Sequence, residues 1–141
     1  MNLAGREPRS LVPHAGAMCL LARIVSASDT EIVCATWSHL APDNPLRRNG
    51  QLAALHLAEY GAQCMAVHGG LMDAGAAARG GMLVAIRDLV LEVARLDDID
   101  GELQVHAMKL VNNREGRIYS FTASAAGRTL ARGRVSVMFA R

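Results

Sequence analysis

The sequence predicts an α+β fold, with one long apolar helix held in the concave face of a curled antiparallel sheet. Three observations carry this reading. Residues 51–68, QLAALHLAEYGAQCMAVH, repeat with the helical period. From residue 82 onward, apolar and polar residues alternate in runs separated by tight-turn sequences. The helix has hardly any charged residue to face water, so other elements must cover it.

The chain is read as a single domain spanning residues 1–141, long enough for a substantial core. It is 51% hydrophobic and 20% charged, which describes a globular protein and excludes a disordered one. Only 4% of residues are aromatic, so Ala, Leu, Val and Met must fill the interior. A formal net charge of +2 gives no argument for nucleic acid, and no nucleic-acid partner is expected. Cys19, Cys34 and Cys64 are odd in number and lack C-x-x-C spacing, so they read as buried free thiols in a reducing cytoplasm. The opening MNLAGREPRS has no apolar signal-peptide core, and no run is long enough to span a membrane. A soluble, cytoplasmic protein with no membrane partner is therefore expected. There is no phosphate-binding glycine loop and no His pair at metal-ligand spacing, so neither cofactor nor metal is expected.

Taken in order, LVPHAG at residues 11–16 is a turn. Residues 18–26 form an apolar run that fits a strand or a short helix. A Ser-Asp-Thr turn follows, and residues 31–38 alternate as a strand, which together suggest a hairpin. HLAPDNPLRRNG at residues 39–50 is a loop, with Asn49 as N-cap for the helix. Gly69-Gly70 should end the helix, and residues 71–81 read as a flexible connection. Residues 82–93 form a strand bent near Arg87-Asp88, and residues 96–100 an acidic turn. Residues 102–111, 117–125 and 129–139 complete the meander. Such a sheet leaves an edge, and edges are commonly covered by a second subunit.

On the helix, Ala54, Ala58, Gly61 and Ala62 make a small-residue stripe, while Leu52, His56, Glu59 and Gln63 fall on another face. Glu59 is the only carboxylate in this apolar run. A polar stripe in such a setting is either buried with partners or lines a site.

Three segments add a resemblance, the third being the closing hairpins, which fit the sheet. LVPHAGAMCLLARIV at residues 11–25 resembles the opening Leu-Pro-His turn and apolar strand of the hot-dog-fold 3-hydroxyacyl-acyl carrier protein dehydratases. Residues 49–63 resemble that family's central helix, with Glu59-Tyr60-Gly61-Ala62-Gln63 standing for its Glu-to-Gln end. APDNPLRRNG and GRTLARGRVSV look like the divergent subgroup encoded with aryl polyene and related pigment pathways.

The resemblance implies removal of a proton beside a thioester and protonation of the departing C3 hydroxyl. It implies Glu59 as the acid, acting with a His from the opposite subunit. The family's Gly-His-Phe-x-Gly motif has no His here; the corresponding loop reads NPLRRNG. His39 is the nearest upstream His and the expected base, although a surface loop His remains open. His56 lies on the same stripe as Glu59 and could pair with it. Gln63, Asn44 and Gly50 are candidate substrate-binding residues, Gly50 as a backbone donor near the helix start. Arg47 and Arg48 could dock an acidic carrier or its phosphate, or be a solvated pair. His14 reads as structural, His68 as ending the helix where its charge would suit the dipole, and His106 as a solvated or interface strand residue. The expected partners are an acyl carrier protein and a second hot-dog chain, in a homodimer or heterodimer. The expected function is dehydration to the 2-enoyl thioester. The alternatives are a non-catalytic subunit of an active dehydratase and a thioesterase.

Overall fold

The computed structural model describes residues 7–8, 18–72 and 81–139, without the side chains of 81–84. The turn expected at 11–16, with His14, and residues 73–80 of the expected connection lie outside the described residues. Six strands form one sheet: β1 (Arg23–Ala27), β2 (Glu31–Thr36), β3 (Gly81–Leu91), β4 (Leu103–Asn112), β5 (Gly116–Ala125) and β6 (Arg128–Phe139). Every pairing is antiparallel, in the order β1-β2-β4-β5-β6-β3, so β1 and β3 are the edges. Helix α1 (Leu57–Met72) lies against β2, β3, β4, β5 and β6. This is the hot-dog arrangement expected from the sequence.

Strand alternation places the core. On β5, Tyr119, Phe121, Ala123 and Ala125 are buried, and the residues between them are less so. They meet Leu57, Tyr60, Cys64 and Val67 of α1 in one continuous cluster. The small-residue stripe has its use at Gly61, where an added Cβ would lie 2.6 Å from the ring of Phe121. Substitution there would drive the helix off the sheet. The bend expected in β3 is present: the register shifts between Arg87 and Val90, and Asp88 has φ of 53°.

The helix boundaries differ from the expectation. Asn49 is not an N-cap; it and Gly50 both take positive φ, 52° and 74°. They form a two-residue turn closed by reciprocal bonds between Arg48 and Gln51 of 2.8 and 2.9 Å, as Asn-Gly favours. The chain then stays extended: the Ala54 N–H donates to the Ala94 carbonyl at 2.9 Å, and the Leu96 N–H to the Leu52 carbonyl at 2.8 Å. The Leu52 N–H donates to Asp97 Oδ1 at 2.8 Å. These long-range bonds outcompete the local helical tendency of residues 51–53. A 3-10 turn at Ala54–His56 leads into α1. At the other end, Gly69-Gly70 do not stop the helix. Gly69 is buried with the Arg117 guanidinium against it, and helical bonding continues to Met72.

Candidate functional site

The site is built on the first turns of α1 and the loop before it. Glu59 is half-buried in the first turn. Gln63, one turn later and 1% exposed, donates from Nε2 to Glu59 Oε1 at 3.1 Å. Gln63 also donates to the Met18 carbonyl at 2.7 Å, and its Oε1 accepts the Leu20 N–H at 2.8 Å. The polar stripe therefore brings Glu59 and Gln63 together, and Gln63 straps the segment before β1 to the helix.

The Leu20 peptide continues the network. Its carbonyl accepts the hydroxyls of Thr36 and Ser38, both at 2.7 Å. Ser38 has then used its only proton, so the Tyr60 hydroxyl, 2.8 Å away, must donate to Ser38 Oγ. Asn44 Nδ2 in turn donates to Tyr60 at 3.2 Å and to the Ser38 carbonyl at 2.9 Å. Burial raises the Tyr60 phenol above its ordinary value, against the Ser38 and Asn44 bonds. Asn44 also accepts the Leu46 N–H at 2.9 Å. Its two N–H groups and an oxygen lone pair are thus engaged in holding the loop.

Arg47 is a clamp of the same kind. It donates to the carbonyls of Ala41 at 2.9 Å, Gly50 at 2.8 Å and His39 at 3.2 Å. Arg48 and Gly50 lie in the exposed turn, six or more residues before α1 begins. His56 ends the 3-10 turn, half-buried, three residues before Glu59. His39 is fully buried in a short 3-10 turn, with Nε2 on the Ile99 carbonyl at 3.0 Å. A carbonyl only accepts, so Nε2 carries the proton, and Nδ1 has no hydrogen-bond partner among the described residues. Burial lowers this imidazole below its usual value, opposed by the Ile99 bond, so it is neutral at pH 7.

His68 is not at the helix end. It is buried, with Nε2 donating to the Ser28 carbonyl at 2.7 Å and Nδ1 accepting from the Tyr119 hydroxyl. Cys34 and Cys64 are buried free thiols and Cys19 is half-buried. The Cys64 thiol is pushed well above its ordinary value by its Cys34 neighbour and by burial. Among the described residues no group of three or more His, Cys, Asp or Glu could hold a metal. No helix among them is long and apolar enough to cross a membrane.

Sequence reasoning missed Ser38, Thr36, Tyr60 and the Leu20 peptide. The only local signal was the position of Tyr60 beside Glu59; the other links join residues 16 to 43 positions apart.

The dehydratase heterocomplex ApeI:P from Xenorhabdus doucetiae is similar in structure, with a TM-score of 0.82 at 20% identity, over 96% of this chain and 91% of that one. AziG of S. sahachiroi gives 0.68 at 19% identity, over 93% and 98%. Zebra fish thioesterase superfamily member 2 gives 0.70 at 16% identity, over 99% of both chains. At these identities the likeness establishes the hot-dog fold. No curated protein sequence matches. The family model for ApeP dehydratases, however, matches residues 6–141, nearly the whole sequence, and the chain belongs to this ApeP-like dehydratase family.

Proposed function

We propose that this chain is one subunit of a dehydratase acting on 3-hydroxyacyl thioesters carried by an acyl carrier protein, with Glu59 as the general acid. The observation that carries the reading is the Glu59 carboxyl, half-buried in the first turn of an otherwise apolar helix and held by Gln63. Glu59 delivers a proton to the C3 hydroxyl as the C3–O bond breaks, and water leaves. A base takes the C2 proton, and its electron pair forms the C2–C3 double bond of the enoyl product. The start of α1 favours developing negative charge through its dipole.

The second half of this machinery is assigned to a partner. His39 donates from Nε2 to Ile99 and is enclosed, so it would have to leave its pocket to meet a substrate. A second hot-dog chain carrying the Gly-His-Phe motif would supply an exposed imidazole opposite Glu59. The similar ApeI:P structure is itself described as a dehydratase heterocomplex, which favours a heterodimer over a pair of identical chains. The resemblance of APDNPLRRNG and GRTLARGRVSV to the aryl polyene subgroup supports an acyl chain of polyene-type biosynthesis.

The test uses the purified chain alone, a hot-dog chain bearing the motif alone, and the two co-expressed. Each is given a 3-hydroxyacyl carrier protein, and the products are read by mass spectrometry. Loss of 18 Da only with the co-expressed pair is expected. Turnover by this chain alone would move the base back to its own residues, with His39 and His56 as the candidates. Release of free acid without water loss would identify a thioesterase instead.

A further inference from the structure

We propose that the free edge of β3 receives a second hot-dog chain whose facing strand is acidic, and that Arg87 and Arg134 keep two copies of this chain apart. The inference rests on the two-chain reading above and adds the surface and the charge of the partner. The sheet ends in two edges, and they differ. Strand β1 has five residues and a register shift between Ile24 and Ser26. Its Arg23 is satisfied by Glu102, with Nη2 2.6 Å from Oε1. Strand β3 has eleven residues, and among the described residues nothing pairs with its free side. A long row of open main-chain groups is a template for another strand.

The charge on that edge decides which strand. Ala131, Gly133 and Val135 of β6 are buried, so Arg132 and Arg134 between them lie on the face away from α1. Arg87 stands directly opposite Arg134 in the β3–β6 register and shares that face. Both are exposed. Together β3 and β6 carry Arg87, Arg128, Arg132 and Arg134 against a single carboxylate, Asp88. Asp88 is 3.7 Å from Arg134, with the two side chains 72% and 57% exposed, and such a pair gains little in water. Like charges directly opposite each other destabilise a sheet, so the free chain holds an unfavourable pair. An antiparallel pairing of two β3 strands along their full length is centred on Ile86. It would set the two Arg87 side chains about 7–8 Å apart as diagonal neighbours, with an Arg134 beside each. Aspartate or glutamate at the same place on a different chain would meet both guanidinium groups instead. The edge thus accepts a strand through its main chain and selects it by charge.

The experiment measures association by analytical ultracentrifugation, with this chain and the motif-bearing hot-dog chain. At about 50 mM NaCl this chain alone is expected to stay monomeric, and the mixture to form a heterodimer. Raising the salt to about 500 mM should weaken the heterodimer by about 10-fold. Arg87→Glu and Arg134→Glu should each raise its Kd by about 10-fold, and Arg87→Gln by less. Arg87→Glu mixed with the wild-type chain should now pair with it. Arg128→Glu makes the same change of charge outside the β3 register and should leave the Kd within about 2-fold. All three positions are exposed, and circular dichroism checks that each variant folds. A stable homodimer of the wild-type chain at low salt overturns the inference. So does an unchanged Kd in Arg87→Glu and Arg134→Glu, an equal loss in Arg128→Glu, or a loss confined to carrier-protein binding. If the heterodimer still forms and turns substrate over, those results leave the two-chain reading standing. If no heterodimer forms at either salt concentration, the two-chain reading falls and this inference falls with it.

Discussion

Helix α1 buries two polar side chains five residues apart, Gln63 and His68, and they do opposite things. Both tie the helix to a distant segment, Gln63 to Met18 and Leu20, His68 to Ser28 and Tyr119. The His68 circuit is closed. Its Nε2–H ends on a carbonyl, its Nδ1 takes the tyrosine proton, and neither of these two partners is a carboxyl. The Gln63 circuit is open at one end, because its third bond passes to Glu59, a half-buried carboxyl. Polarity inside an apolar helix is therefore not in itself the mark of a site. What marks a site is a buried network that ends on a titratable group with access to a ligand.

This contrast can be broken at either end. The largest effect is expected at the open one: Glu59→Gln in the two-chain complex should lower kcat by about 10²-fold to 10⁴-fold, the range of a lost general acid, with Tm nearly unchanged. His68→Gln should do the reverse, lowering Tm while kcat at full folding stays within about 2-fold. Equal losses of kcat in the two variants would abolish the distinction. A smaller effect is expected for Tyr119→Phe, which leaves His68 Nδ1 without its donor. Urea unfolding should show a loss of about 1–3 kcal/mol, the usual penalty for an orphaned buried polar atom. The same substitution should flatten the alkaline limb. Burial pushes the Tyr119 phenol up to about 12, so its contribution to stability is present below the unfolded value of 10.0 and is lost as pH rises through about 12. The phenylalanine variant should lack that loss.

The smallest effect is the acid dependence. Burial lowers His68, helped by the Lys109 and Arg117 charges and opposed by the Ser28 bond and Asp29. A depressed folded value means the unfolded chain takes up the proton first. Stability is then present above the usual imidazole value of 6.5 and is lost as pH falls below it. His39 has the same sign. Tm should fall between pH 7.5 and 5.5, and less steeply in His68→Gln; an equal slope would assign the effect to His39.

Much of this was legible in the sequence wherever the determining bonds are local or periodic. The hairpins, the bend at Arg87-Asp88 and the pairing of Glu59 with Gln63 at helical spacing all follow from residues close in the chain. The true start of α1 was not legible, because it depends on residues 52–54 pairing with residues 94–97. The Asn49-Gly50 pair carried a hairpin signal that the helical reading overrode. The burial of His39 depends on Ile99, sixty positions away, and nothing near residue 39 announces it. Arg47 reads in sequence as half of a basic pair and is in the structure a loop clamp, since three backbone carbonyls converge on it.

The Leu20 peptide group joins the two halves of the site, taking Thr36 and Ser38 on its oxygen and giving its proton to Gln63. None of these bonds uses the leucine side chain. Alanine scanning would report residue 20 as an ordinary buried apolar position, and any apolar residue that fits could replace it without touching the connection. Proline alone among the natural residues would cut the link, by deleting the N–H. A proline scan of the chain is thus the form of mutagenesis that can detect this join.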